Sequence, residues 1–132
     1  MTDQSRKPLD MLPPDAQPGT WHLRDLVRQL KSGEAWRTSE RQTMPLFRTE
    51  GMRVMLVALR AGASLSSHRA AGPITVQVLE GRITFSAESQ AVTLTEGQML
   101  SLRAGLPHAV EAPEDAVFLL TVAPERTAAS GT

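Results

Sequence analysis

The sequence predicts an all-β domain, a sandwich or closed barrel, behind one short α-helix. Three observations carry this. From residue 53 onward short apolar runs alternate with turn signals at roughly eight- to twelve-residue spacing, the mark of short strands folding back on one another. No helical period interrupts those runs, which excludes a parallel α/β sheet. Upstream, Leu23, Leu26, Val27 and Leu30 fall at i, i+3, i+4 and i+7, one face of an amphipathic helix.

The elements follow in order. Residues 1–19 are polar and carry Pro8, Pro13, Pro14 and Pro18, so they are expected to form a flexible tail. Thr20 is the expected N-cap of the helix and Ser32-Gly33 its stop, with His22 in the first turn as a surface residue. Residues 20–48 thus form a helical leader and linker. Arg53–Arg60 (RVMLVALR) is apolar on both alternating sets and predicts a strand covered on both sides. Ile74–Leu79 alternates Ile74, Val76 and Val78 against Thr75, Gln77 and Leu79. Glu80-Gly81-Arg82 turns the chain into ITFSAE, AVTL follows, and Thr95-Glu96-Gly97 turns again. Strands at Met99–Leu102, Ala109–Glu111 and Ala116–Val122 complete a barrel expected over 49–124, with residues 125–132 as a second flexible tail.

Composition narrows the functional classes. The 132 residues suit one domain, and 14 basic residues balance 14 acidic ones. That balance argues against a nucleic-acid or anionic-membrane binder. With no cysteine, disulfides, thiolate metal sites and thiol nucleophiles are excluded. The N-terminal stretch has no apolar signal region and no window is long enough to span a bilayer, so a cytoplasmic protein is expected.

Two glycine-punctuated segments carry the chemistry. Gly62 is followed at fixed spacing by His68 and then Gly81; Gly97 is followed by Gly105 and His108. Together they resemble the two motifs of the cupin superfamily, G-x5-H-x-H-x3,4-E-x6-G and G-x5-P-x-G-x2-H-x3-N. More narrowly, AGPITVQVLEGRITF and GLPHAVEAPEDAVFLLT resemble small single-domain bacterial cupins of unassigned function. The resemblance implies a double-stranded β-helix, or jelly roll, and a homodimer. It also implies a divalent metal (Fe, Mn, Ni or Zn) held by three histidines and a glutamate. In this chain His68 and His108 occupy two of those positions, whereas Ala70 and Ile74 occupy the other two, and Arg103 stands where the second motif has proline.

Methyl and branched aliphatic groups offer no lone pair, and a catalytic metal ordinarily takes at least three protein ligands. The leading expectation is therefore a barrel that binds or senses a small molecule beside a degenerate metal site. His68, His108, Arg103, Ile74 and Val76 are the candidate ligand-binding residues. A divalent-metal dioxygenase or isomerase using His68 and His108, and a non-catalytic dimeric interaction module, are the alternatives. Arg69 and Arg103 are both placed near the cavity mouth, where they could neutralise an anion.

Overall fold

Alternation of apolar and polar side chains along short strands, nine among the described residues, gives two antiparallel sheets packed face to face. The computed structural model describes residues 19–123, apart from the side chains of Ser67 and His68. The segments expected to be flexible tails, 1–18 and 124–132, lie outside the described residues. Two helices, α1 (Leu23–Ser32) and α2 (Glu34–Thr38), come first. The strands are β1 (Arg41–Thr49), β2 (Met52–Leu59), β3 (Ser64–His68), β4 (Ile74–Glu80), β5 (Arg82–Ala87), β6 (Gln90–Thr95), β7 (Met99–Leu102), β8 (His108–Glu111) and β9 (Ala116–Val122). One sheet has the order β1-β2-β9-β4-β7 and the other β3-β8-β5-β6. This is the jelly-roll architecture that the resemblance implies, within the sandwich or barrel class that the turn spacing predicts.

Side-chain parity builds the core between the sheets. Ile74, Val76 and Val78 of β4 are buried there with Ile83 and Phe85 of β5 and Phe118 of β9. Thr75, Gln77 and Leu79 point to the opposite face, as their alternation predicts. Burying each large apolar side chain of this kind contributes about 1.5–3 kcal/mol.

The strand that is apolar on both faces is β2. Its Val57 and Leu59 enter the inter-sheet core, while Leu56 and Ala58 join a second cluster with Val27, Leu30 and Trp36. The outer face of β2 is thus covered within the chain by α1 and α2, and its apolar character calls for no second subunit. Arg60 clamps this cover: its Nη1 donates to the Trp36 carbonyl at 2.6 Å, and its guanidinium lies 4.9 Å from the Trp36 ring centroid. Lys31 lies over the same ring at 5.6 Å and pairs with Glu80, tying the end of α1 to β4.

The structure departs from the expectation at three places. The helix begins later, with His22 rather than Thr20 at its N-cap and no side-chain capping bond, while the Trp21 ring rests edge-on against Phe47 at 6.4 Å. The stretch expected to be linker contains β1, which pairs with β2 along its length apart from an irregularity at Pro45/Phe47. Pro45 lacks a backbone donor and is tolerated because β1 is the edge of its sheet. The polar run SLSSH forms β3, paired with β8.

Candidate functional site

The site is built where one end of the inter-sheet core opens to solvent. Inner-face parity continues along β4 and β9 to Ile74, Leu120 and Val122, and along β2 to Met55 and Arg53. Met55, Ile74, Leu120 and Val122 floor a cleft of about 890 Å³ that Arg53 also lines, within the usual range for small-molecule sites. The loop Arg69–Gly72 forms one wall, and Arg48, Thr49 and Glu50 of the β1–β2 hairpin border the other.

His108 is the buried polar group of this cleft, 5 % exposed. Its ring stacks on Phe85, with centroids 5.3 Å apart and planes 12° from parallel. Its Nδ1 donates to the Leu106 carbonyl oxygen at 3.1 Å. A carbonyl only accepts, so that bond requires a proton on Nδ1. The stacking and this bond fix the orientation of the imidazole.

The two motif segments meet here. The amide of Gly105 donates to the carbonyl of Ala70 at 2.9 Å, joining the loop before β8 to the loop after β3. In the β3–β8 register, His68 is the cross-strand partner of His108. The side chain of His68 lies outside the described residues, so this pairing is one of backbone.

The remaining candidates are distributed differently. Ile74 reaches the cleft floor; Val76, two residues further along β4, is packed in the inter-sheet core and does not border the cleft. Arg69 lies at the mouth. Arg103 lines a second depression with Pro73, Thr75, Ser101 and Thr121, toward the other face of the sheet. Glu111 is exposed and Gln77 faces the helical side, so neither joins His108. Among the described residues no three His, Asp or Glu side chains cluster as metal donors.

Arg48 and Arg53 are the site residues that reading the sequence misses. Thr49 pairs with Met52 across the two-residue turn Glu50-Gly51, and the next pair outward is Arg48 with Arg53. The Glu-Gly turn was the available signal, because a two-residue hairpin loop sets the register of everything beyond it. Another depression, about 460 Å³ between α1 and β4, carries Arg24 and Arg28 against Glu80 and Glu96 but no histidine. The barrel-mouth cleft is the larger, and it holds the imidazole.

Residues 55–123 match the cupin domain family, just over half of the chain. The chain belongs to the cupin family. No curated protein matches this cupin. Among solved structures, a conserved protein of unknown function from Streptococcus pyogenes is 24% identical, with 66% of this chain and 76% of that chain covered and a TM-score of 0.62. KdgF from a Halomonas species is 19% identical over 66% of this chain and 81% of its own, with a TM-score of 0.62. A cupin-2 domain protein from Shewanella frigidimarina is 17% identical over 78% and 93%, with a TM-score of 0.63. At these identities the likeness is one of fold. The family match leaves α1, α2 and β1 of this cupin outside it, together with Arg53. No described helix is long and apolar enough to cross a membrane.

Proposed function

We propose that this cupin binds a small molecule in the barrel-mouth cleft, beside a metal site reduced to two of its usual four ligands. The observation that carries the reading is the cleft itself. An opening of about 890 Å³ with an apolar floor and one oriented, buried imidazole is the ordinary composition of a small-molecule site.

The donor chemistry supports the metal part of the reading. Ala70 and Ile74 stand at the second-histidine and glutamate positions and both line the cleft, presenting only carbon. His68 and His108 alone fall short of the three protein ligands a catalytic divalent ion ordinarily takes. Their cross-strand register favours a second reading, a divalent-metal enzyme in which both imidazoles are ligands.

Elemental analysis of untagged protein, beside a His68→Ala/His108→Ala variant, separates the two. Substoichiometric metal in both samples is expected. Near-stoichiometric Fe, Mn, Ni or Zn that disappears in the variant would overturn the first reading in favour of the second. For the binding claim itself, octanamide titrated calorimetrically is expected to bind in the millimolar range. Ala71→Trp, which places an indole on the exposed cleft wall, is expected to abolish that binding. Unchanged binding in this variant would place the ligand elsewhere.

A further inference from the structure

We infer that the ligand of this cleft is an amphipathic organic acid, and that Arg48 and Arg53 form the clamp for its oxyanion. The inference rests on the binding-barrel reading and adds the chemical class of the ligand. It starts from the β1–β2 register, in which Arg48 and Arg53 are direct cross-strand partners. Such partners share a face, with Cβ atoms about 4.5–5.5 Å apart, and like charges placed this way destabilise a sheet. Arg53 has the parity of Met55, Val57 and Leu59, so the shared face is the inner one that opens on the cleft.

Among the described residues nothing neutralises the pair. Away from the cleft Arg28, Lys31, Arg60 and Arg82 each meet a carboxylate, whereas Arg24, Arg37, Arg41 and Arg103 do not. Among the described residues, Arg48, Arg53 and Arg69 meet none, although all three border the cleft. Glu50, on the hairpin turn, borders it too and makes no ion pair with any of them. Among the described residues three guanidiniums against one carboxylate line the mouth, a local positive excess in a chain with a formal net charge of zero.

Two guanidiniums, one from each strand, present planar forks of N–H donors suited to a carboxylate or phosphate oxygen pair. Beneath them the floor is Met55, Ile74, Leu120 and Val122, which offer the ligand body no hydrogen-bonding group. The geometry therefore suits an acid at the mouth and an apolar body below it. Arg48 and Arg53 lie outside residues 55–123, the part of the chain that the family model matches.

Octanoate and octanamide, equal in chain length and different in charge, test this by calorimetric titration at low salt. Wild-type protein is expected to prefer octanoate by about tenfold or more, the scale of one charge-assisted hydrogen bond. In an Arg48→Gln/Arg53→Gln variant the octanoate-to-octanamide affinity ratio is expected to collapse toward parity. The same variant is expected to melt about 1–3 °C higher without ligand, because a like-charge cross-strand pair has been removed. Equal wild-type affinity for acid and amide, or a preference that survives in the variant, would overturn the inference and leave the binding barrel standing. Failure of both probes to bind wild-type protein would overturn the binding reading itself. A lower melting temperature in the variant would overturn the claim that the two charges oppose each other.

Discussion

Gly81→Ala is expected to destabilise the fold by about 2–5 kcal/mol and to lower the melting temperature by roughly 10–20 °C. Two causes add. Gly81 has φ +80°, a region that costs a residue with a Cβ about 1–2 kcal/mol. An added Cβ would also lie 2.1 Å from the Asp115 carbonyl oxygen and 2.9 Å from the Ala116 Cα. Both are backbone atoms, so no side chain can swing aside. Asp115 is further held by its carboxylate, which accepts from the Ala61 amide at 2.8 Å and lies 3.7 Å from Arg60. Relief requires the β4–β5 turn to move away from the start of β9. Gly97→Ala is the control, since Gly97 has φ +90° with nothing within 4 Å, and it is expected to cost only the conformational part. Equal losses in the two variants would show that the close approach to Asp115 carries no weight.

Trp36→Ala is expected to cost about 3–5 kcal/mol in urea denaturation, as large-to-small changes of buried aromatic residues do. The indole is 7 % exposed and lies at the centre of the outer cluster, against β2 and under the Arg60 and Lys31 side chains. Faster amide exchange is expected across α1 and α2, with cleft binding retained because the cleft opens on the other face of the sheet. A loss below about 0.5 kcal/mol, the scale of an ordinary surface change, would mean that the helices do not depend on this ring.

What could be read in advance and what could not divides along physical lines. Strands β2, β4 and β9 are visible because burial enforces an alternation or a continuous apolar run. The helix is visible because its stripe repeats at the helical period. Edge strand β1 is hidden because one side of it faces solvent, so RQTMPLFRT carries a proline and five polar residues without penalty from the ladder. Short, polar β3 is hidden for a similar reason: its strand character comes from pairing with β8, not from its own side chains. At the site, motif spacing brings His108 and Ile74 to one cleft, because spacing along a strand fixes parity. It does not separate Val76 in the core from Ile74 at the opening, since both have the same parity and only depth distinguishes them. Nor does it show that Arg103 turns toward the other face, or that Arg48 meets Arg53. Those facts depend on loop direction and on register between strands, to which each segment contributes only half.

One feature of the topology bears on how the protein is made. Strand β9, the last of the described strands in chain order, sits in the middle of its sheet with β2 on one side and β4 on the other. On the ribosome, the β1–β2 hairpin and the β4–β7 pair therefore emerge as two halves with bare hydrogen-bonding edges. Neither can join the other until Ala116–Val122 has been synthesised. The decisive step of folding is thus a long-range strand pairing, which is slow and leaves unpaired edges exposed while the chain waits. A nascent chain stalled before Ala116 is expected to remain protease-sensitive throughout, because the pairing of β9 with β2 and β4 is what joins the two halves of the sheet.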